Sequence, residues 1–203
     1  MAQEATVFVV DDDEAVRDSL CRLFSSVDLA AEAFPSGETF LASCRPGKAG
    51  CLVIDLRMPG MSAFEVQREM AARAINLPMI FITGYGDVET GVRAMKAGAV
   101  DFIQKPFREQ DLLEIVQKSI AQSITILNKD AAFEETRQNF DRLTPREREV
   151  LDCIVAGEPN KRTAHTLGLS EKTVEFHRAN LMKKMQARSL ADLIQKALRV
   201  LPT

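Results

Sequence analysis

Acidic residues that follow predicted strands are the part of this 203-residue sequence best suited to chemistry. Asp11 and Asp12 follow one β-branched run, and Asp55 ends another. Three carboxylates at one point would repel one another without a cation, and oxygen ligands without Cys or His favour Mg²⁺. We therefore expect Asp12 and Asp55 to bind Mg²⁺ directly and Asp11 to bind it directly or through water. The backbone carbonyl of Arg57 could complete the metal shell.

Asp55 is the predicted nucleophile, because it ends the central strand and precedes a loop, residues 56–60, that can fold back over an ion. A carboxylate that attacks phosphorus yields an acyl phosphate, and Mg²⁺ offsets the charge that repels the donor. Thr83 and Lys105 follow two further strands, where a hydroxyl and an ammonium can each bind a phosphoryl oxygen. Singly, these residues could be helix caps or loop residues, but together they favour one phosphoryl site.

The elements that must position these residues alternate up to about residue 120. Short β-branched runs are separated by helical patterns, which predicts an α/β domain with a five-stranded parallel, doubly wound sheet of the flavodoxin-like type. The carboxyl ends of such strands share one edge of the sheet and form the binding crevice. The predicted strands are residues 6–10, 30–34, 51–55, 78–82 and 100–103.

The helices of this first part are predicted from capping residues and from apolar spacing. Ser62 and Glu65 form a capping box, and Asp87 can cap a helix that runs to about residue 97. A further helix should begin near Glu109, and its apolar stripe continues past the expected edge of the domain. A first helix is indicated by apolar residues at helical spacing: Val16, Leu20, Leu23, Phe24 and Val27.

Strand patterns end by residue 143, and an all-α, four-helix unit with a helix-turn-helix at its centre is predicted there. Its first helix should end near residue 157, after a start marked by a cap, a first-turn proline and a reciprocal Glu147. We divide the chain into a first domain at 1–122, a mostly helical linker at 123–141 and a second domain at 142–203. The predicted caps and turn of the second domain are Thr144, Asn160, Gly168, Ser170 and Ser189.

The composition, with 46% hydrophobic and 27% charged residues, is that of an ordinary globular protein. The net charge of −3 divides unevenly, because residues 1–122 hold 12 basic and 18 acidic residues whereas residues 142–203 hold 12 and 7. The second domain is therefore suited to a phosphate backbone. We expect a cytoplasmic protein without a membrane partner, since no signal peptide or spanning segment is evident and the four cysteines are scattered.

Residues 6–122 resemble the receiver domains of two-component response regulators. The resemblance implies that Asp55 is the phosphoacceptor, that Asp11 and Asp12 are the acidic pair, and that a sensor histidine kinase is the donor. It also makes Thr83 and Phe102 a switch pair, in which Thr83 moves toward the phosphoryl group and the Phe102 ring enters the vacated space. Without the motif, core packing would explain Phe102. The matching motifs are VVDD at 9–12, IDLRMPG at 54–60, FITG at 81–84 and DFIQKP at 101–106.

About 60 residues at the other end resemble the LuxR-type output domain of the NarL/FixJ response regulators. The motifs are LTPREREVL at 143–151, NK at 160–161 and GLSEKTVEFHR at 168–178. The sequence TGYGD at 83–87 is most similar to the FixJ branch. The resemblance implies binding to double-stranded DNA and control of transcription.

The helix predicted at 171–185 would enter the major groove, which is wide enough for a helix and displays a distinct pattern for each base pair. Val174, Leu181 and Met185 form its predicted buried stripe, which leaves the opposite side free to face DNA. By resemblance, Glu175, Phe176 and Ala179 would meet base edges. The expected phosphate contacts are Lys172, Thr173, Arg178 and Lys183.

Two residues depart from the pattern of the family. Thr163 stands where a branched apolar residue is usual in the scaffold helix, so we expect slightly looser packing there. Glu175 is acidic at a reading position, where it could accept a bond from cytosine but would repel a misplaced phosphate. His165 and His177 are expected as a surface residue and a structural or phosphate contact, because two histidines without a Cys partner make a poor metal site.

The main hypothesis is a regulator in which phosphorylation promotes receiver dimerisation and thereby places two DNA-binding units on adjacent half-sites. Activation is the expected direction, with RNA polymerase as a further partner, and no enzymatic turnover is expected. An aspartate-nucleophile phosphohydrolase is the alternative from another class, but its usual D-x-D pair after the first strand and its substrate cap are not evident. A binding module that needs no phosphorylation is less favoured, because the predicted pocket is complete.

Overall fold

The computed structural model describes residues 5–84, 95 and 98–201. The chain folds into two compact units, Met1–Asn128 and Lys129–Thr203. The first unit is an α/β domain, and the second is made of helices within the described residues. None of the helices in these described ranges combines the length and the apolar character that a membrane crossing requires.

The first unit is built on a five-stranded parallel sheet with the order β2-β1-β3-β4-β5. The predicted doubly wound architecture is thereby confirmed, and the strand bounds agree with the predicted ones to within one residue. β3 begins one residue early because Gly50 pairs with Thr6 while offering no side chain to a sequence pattern. The strands are β1 (Thr6–Val10), β2 (Ala30–Phe34), β3 (Gly50–Asp55), β4 (Met79–Thr83) and β5 (Asp101–Gln104).

Helices cover both faces of the sheet because alternate strand residues point to opposite sides. Phe8 and Val10 of β1 pack into one core with α2 (Gly37–Ser43) and α3 (Ala63–Ala72). Val7 and Val9 pack into the other core with α1 (Glu14–Ser25) and the first part of α4 (Glu109–Asp141). The strands β1, β3 and β4 are thus buried on both faces, whereas the edge strand β2 is largely exposed, so the ends of the central strands are left for chemistry.

One predicted helix cap of the first unit is confirmed, and the other lies outside the described residues. The capping box of Ser62 and Glu65 at the start of α3 is confirmed. Val27 was wrongly assigned to the apolar face of the first helix, because α1 ends at Ser25 and Val27 is 37% exposed beyond it. The predicted cap Asp87 and its helix lie outside the described residues.

The long helix α4 begins at Glu109, as predicted, and includes the whole segment proposed as a linker. Its first turns carry Leu112, Val116 and Ile120 into the core of the first unit. Ser123 is also fully buried, and its hydroxyl oxygen accepts a hydrogen bond of 3.1 Å from the backbone N–H of Gly50. The residues around Ser123 are therefore attached to the start of β3, while the proposed domain limits stay a prediction.

The second unit has the four predicted helices around one core. They are α5 (Pro145–Val155), α6 (Asn160–Leu167), α7 (Glu171–Lys184) and α8 (Leu190–Val200). Thr144, Ser170 and Ser189 cap α5, α7 and α8 as predicted, and Gly168 ends α6 in the left-handed conformation at φ 64°. The turn between α6 and α7 is therefore that of a helix-turn-helix.

Asn160 was wrongly predicted as a cap. It is the first residue of α6, and Pro159 occupies the extended N-cap position without a side-chain hydrogen bond, because proline has no acceptor to offer. Thr163 of the same helix is fully buried, and the slightly looser packing expected around it stays a prediction.

The Ser123 contact makes a testable contribution to stability. Ser123→Ala should lower the free energy of unfolding of the first unit by about 1–3 kcal/mol, because the buried N–H of Gly50 loses its acceptor. Alanine favours helices more than serine does, so intrinsic propensity would give the opposite sign. Urea unfolding followed by circular dichroism measures the change.

Thr125→Ala is the matched control, because its exposed hydroxyl bonds only to the carbonyl of Ala121 one turn earlier. We expect little loss or a small gain in the control. Equal destabilisation by both substitutions would show that the bond to Gly50 contributes nothing specific.

Candidate functional site

The register of the sheet brings the predicted pocket residues to one edge. Val10 pairs with Ile54, which places Asp11 beside Asp55 at the end of the central strand. The strand order reverses between β1 and β3, and ligands of open α/β sheets bind at such a point. Lys105 follows β5, and its backbone N–H bonds to the carbonyl of Thr83 at 2.8 Å. Four of the predicted pocket residues therefore lie at one edge of the sheet.

One ammonium group joins the two buried carboxylates. Lys105 Nζ donates to Asp55 Oδ1 at 2.8 Å and to Asp11 Oδ2 at 3.0 Å. The side chains of Asp11 and Asp55 are only 4% and 10% exposed, so water screens their charges poorly. Partial burial alone would lower the pKa of Lys105, but its bonds to Asp55 and Asp11 and their charges raise that pKa above the ordinary value.

The second oxygen of each carboxylate is fixed by the backbone. Asp11 Oδ1 accepts the N–H of Asp13 at 2.9 Å, and Asp55 Oδ2 accepts the N–H of Arg57 at 2.7 Å. Each carboxylate therefore has one oxygen on the lysine and one on its own loop. This arrangement fixes the orientation of the Asp55 carboxylate, as a nucleophile requires. It also fixes where the positive charge of Lys105 lies relative to that carboxylate.

The residues available for a cation are oxygen donors. No group of three or more His, Cys, Asp or Glu side chains is gathered as a ready metal site within residues 5–84 and 98–201. Asp11 and Asp55 do converge, while Asp12 is exposed next to them. A set made only of carboxylates fits a hard divalent cation such as Mg²⁺, so these three residues are chemically suited to one. The role of the Arg57 carbonyl stays a prediction.

Thr83 and Phe102 are the predicted switch pair. Thr83 lies on β4, the neighbour of β3, and Phe102 lies on β5, the next strand beyond β4. Thr83 ends β4 and is 3% exposed, and its hydroxyl lies 3.4 Å from the carbonyl of Gly84. Phe102 is half-buried on β5, pairs in register with Phe81, and packs against the core that contains α2 and α3. The geometry places both residues near the pocket, and their switching role stays a prediction.

Two residues that hold the pocket loops were missed in the sequence. Arg17 Nη1 donates to the backbone carbonyls of Asp11 at 2.8 Å and Asp12 at 3.0 Å. Glu38 of α2 accepts the N–H of Met61 at 3.1 Å, which anchors the end of the loop after Asp55. An arginine one turn into the helix after the acidic residues was a usable signal, whereas nothing in the sequence links Glu38 to Met61.

The second unit offers a separate candidate surface on α7. The predicted stripe of Val174, Leu181 and Met185 is fully buried, which leaves the other side of the helix toward solvent. Phe176 is 64% exposed, so its ring is accessible to a partner. Exposed with it are Lys172, Glu175, Ala179 and Lys183, and Thr173, His177 and Arg178 are partly exposed.

Thr173 has a structural partner at the start of α7. Its hydroxyl lies 2.8 Å from that of Ser170, and its backbone N–H bonds to the same Ser170 oxygen. The predicted phosphate contact therefore also takes part in the helix cap. Backbone N–H groups at such a helix start are favourable places for a phosphate.

The end of α7 is anchored by Glu147, which the sequence identified only as part of a capping box. Its Oε2 accepts the backbone N–H of Thr144 at 2.8 Å and also the ammonium of Lys184 at 2.7 Å. Burial alone would raise the pKa of Glu147, but the bonds from Lys184 and Thr144 lower it below the ordinary value. Lys196 adds a second anchor, because it donates to the carbonyl of Gln186 just beyond α7 at 2.7 Å.

Comparison with protein families matches both units. The model of the response regulator receiver domain matches residues 7–117, and that of the bacterial regulatory proteins of the luxR family matches residues 141–197. The chain is 46% identical over 192 residues to Nodulation protein W of Bradyrhizobium diazoefficiens, which covers 95% of this chain and 85% of that protein. It is 42% identical over 198 residues to the transcriptional regulatory protein FixJ of Azorhizobium caulinodans, with 98% and 94% covered.

Solved structures agree with this result. A low-resolution structure of the response regulator StyR has a TM-score of 0.87 and 42% identity, over 97% of this chain and 99% of that chain. The full-length FixJ from B. japonicum has a TM-score of 0.59 and 37% identity, over 98% of each chain. Similarity over nearly the whole length means that both units, in this order, are shared with these proteins.

The anchor of α7 predicts a pH-dependent stability. Glu147→Gln should lower the free energy of unfolding of the second unit by about 2 kcal/mol at pH 7, because a buried, charge-assisted bond is lost while the side-chain length is kept. The folded-state pKa of Glu147 is lowered, so its contribution is present above the ordinary pKa of the unfolded chain and is lost as the pH falls through the folded-state pKa. Urea unfolding of the wild type and of Glu147→Gln at pH values from about 3 to about 7 measures how their difference in free energy of unfolding changes with pH.

Glu149→Gln is the control on the same helix, since Glu149 is exposed and, among the described residues, pairs only with Arg146. Its effect should stay below about 0.5 kcal/mol at every pH. A Glu147→Gln difference that is constant from neutral to acid pH would contradict a role for the charge of Glu147.

Proposed function

The chain belongs to the NarL/FixJ family of response regulators, which join a receiver domain to a LuxR-type DNA-binding domain, and we propose that phosphorylation of Asp55 controls its binding to DNA. Transcription regulation within a two-component system is what the family shares. The observation that carries the proposal is the shared bond of Lys105 to Asp11 and Asp55 at the switch point of the sheet. It places a nucleophilic carboxylate and a positive charge within one hydrogen bond of each other.

The proposed donor is the phosphohistidine of a sensor histidine kinase. A carboxylate oxygen of Asp55 attacks phosphorus, the new O–P bond forms as the N–P bond breaks, and the imidazole nitrogen takes up a proton. Lys105 pairs with a phosphoryl oxygen as charge builds on it, and the hydroxyl of Thr83 binds another. The pocket therefore provides positioning and charge compensation, which are the main needs of phosphoryl transfer.

Asp11, Asp12 and Asp55 are the residues proposed to hold Mg²⁺, with the carbonyl of Arg57 as a further ligand. A bound Mg²⁺ would neutralise the negative charge that otherwise keeps a phosphodonor away from these carboxylates. Lys105 neutralises only part of that charge, because its one ammonium is shared by two buried carboxylates and the exposed Asp12 follows Asp11 in the same loop.

The proposed response to phosphorylation is a repacking next to β5. When Thr83 moves toward the phosphoryl group, the half-buried ring of Phe102 can turn inward and change the adjoining surface. That surface is proposed to dimerise, so that two DNA-binding units reach adjacent half-sites and gain affinity through their effective concentration. We propose activation of transcription, with RNA polymerase as the further partner and the cytoplasm as the setting.

The surface proposed to contact DNA is the exposed side of α7. Lys172, Arg178 and Lys183 supply positive charge for phosphates, with Thr173 at the helix start. Glu175, Phe176 and Ala179 lie on the same exposed side and are proposed to meet base edges in the major groove. The acidic Glu175 would favour a site with cytosine at the position it reaches.

Asp55→Asn tests the control of DNA binding. The amide keeps the size of the side chain but cannot form an acyl phosphate, so both covalent phosphate and the gain in DNA affinity with acetyl phosphate should disappear. Phosphate-affinity gels, fluorescence anisotropy with a DNA site selected from random sequence, and sedimentation measure phosphate, affinity and mass. Asp28→Asn, an exposed substitution of the same kind, should behave as wild type.

A wild-type protein whose mass and DNA affinity stay unchanged after stoichiometric phosphorylation would defeat the dimer proposal. An Asp55→Asn protein that still responds to acetyl phosphate would place the phosphoacceptor elsewhere.

Two substitutions on α7 separate affinity from specificity. Lys172→Ala should weaken binding to all DNA sequences alike and reduce the slope of log affinity against log salt by about one. Glu175→Gln should instead change the preferred base at one position of the selected site. Lys129→Ala, an exposed lysine outside α7, is the control for loss of charge alone. An unchanged sequence preference in Glu175→Gln would remove Glu175 from the reading residues.

A further inference from the structure

Arg17 closes the loop that carries the acidic pair. It lies in the first turns of α1, and the two N–H bonds of its Nη1 reach the carbonyl of Asp11 at 2.8 Å and that of Asp12 at 3.0 Å. From the other side, Asp13 donates its N–H to Asp11 Oδ1 at 2.9 Å, and its own carboxylate caps α1 at Ala15. The turn between β1 and α1 is therefore fixed through both its backbone and its side chains.

The hydrogen-bond partners of Arg17 are unexpected, because acidic residues lie close to it in the sequence. Residues 11–14 are all acidic, yet the guanidinium of Arg17 makes no salt bridge with any carboxylate among the described residues. Guanidinium and carboxylate groups form strong two-point pairs where the geometry permits. Here the guanidinium donates to backbone carbonyls, and the carboxylate of Asp12 accepts no hydrogen bond in the described part of the chain.

We infer that Arg17 is a positioning residue for phosphoryl transfer to Asp55: it holds the backbone of Asp11 and Asp12 so that their carboxylates face the cation site, while its own guanidinium does not pair with either carboxylate. The inference rests on the proposed function of the pocket. It assigns Arg17 no contact with the substrate or the cation.

Order in this turn affects the affinity for a cation. With the two bonds of Arg17 in place, the turn is ordered before a cation arrives, so binding does not have to order it. Without them, the two carbonyls bond to water, the turn gains freedom, and part of the cation's binding energy is spent on ordering it. Loss of a group that orients metal ligands commonly costs tenfold or more in metal affinity.

The charge of Arg17 and its hydrogen bonds have opposite effects on the affinity for Mg²⁺. The sign of the change in affinity when Arg17 is replaced therefore shows which effect is larger. A positive group next to the carboxylates repels an incoming divalent cation, so removing it for electrostatic reasons alone would strengthen Mg²⁺ binding. Removing the bonds to the two carbonyls weakens Mg²⁺ binding. A lysine keeps the charge but lacks the rigid fork, and its single ammonium should restore the bonds only in part.

The experiment uses the full chain with Arg17→Ala, Arg17→Lys and the control Arg22→Ala, an exposed arginine of the same helix. Isothermal titration of the unphosphorylated proteins with MgCl₂ gives the affinity for Mg²⁺ alone. The rate of phosphorylation by acetyl phosphate, followed over a range of Mg²⁺ concentrations, gives a half-saturating concentration and a maximal rate. Thermal unfolding without Mg²⁺ confirms that each variant is folded.

Arg17→Ala should weaken Mg²⁺ binding about tenfold, while the maximal rate at saturating Mg²⁺ stays within about twofold of wild type. Arg17→Lys should be intermediate, and Arg22→Ala should match wild type. Unchanged or tighter Mg²⁺ binding in Arg17→Ala would overturn the inference, and so would a loss of rate that saturating Mg²⁺ does not restore. If Arg17→Ala does not fold, Arg17→Lys decides by the same criteria.

The two proposals fail in different ways. If wild type binds Mg²⁺ but never takes up phosphate from any donor, the proposed function fails, while the Mg²⁺ titrations still decide whether Arg17 orders the turn. If wild type is phosphorylated and Arg17→Ala has wild-type affinity for Mg²⁺, only the assignment of Arg17 fails.

Discussion

The ammonium of Lys105, shared by two buried carboxylates, is the interaction on which the first unit depends. Asp11 and Asp55 end neighbouring strands, so the parallel sheet forces two negative charges together at a place where water screens them poorly. Leaving either carboxylate without a partner would be costly. The negative charge of the resting pocket is therefore partly neutralised by a group that a phosphoryl oxygen can also engage. Any new charge on Asp55 must redistribute the bonds of Lys105.

The central strand links this pocket to the long helix α4. Asp55 ends β3, every residue of β3 is buried, and Gly50 at its other end bonds to Ser123. Gly50 is required there because its φ is 151° and a Cβ would lie 1.9 Å from the carbonyl oxygen of Thr6. β3 is therefore held at both ends, which favours a response to a change at Asp55 through β4, its neighbour, and β5 beyond it. Thr83 and Phe102 lie on those strands.

Sequence patterns predicted the sheet, the pocket carboxylates and the helix caps, because these features depend on local spacing and on strand ends. The capping box at Ser62 and the buried stripe of α7 are local in this sense. The Asn160 cap failed because Pro159, already extended, could occupy the N-cap position. Three hydrogen bonds join residues far apart in sequence, so a periodic sequence pattern does not predict them. They run from Lys184 to Glu147, from Gly50 to Ser123 and from Met61 to Glu38. The phosphoryl chemistry of the pocket was predicted from residue types at strand ends, whereas the histidine kinase, the switch pair and the DNA contacts of single α7 residues were predicted from resemblance.

The central claim is that Asp55 becomes an acyl phosphate, and chemical trapping tests it most directly. Borohydride reduces an aspartyl phosphate to homoserine, so wild-type protein treated with acetyl phosphate and Mg²⁺ and then with borohydride should carry that mass change in the peptide that contains Asp55. Peptide mass spectrometry should find it there and should not find it without the phosphodonor. Reduction at another carboxylate, or at none in a sample that contains protein-bound phosphate, would contradict the account.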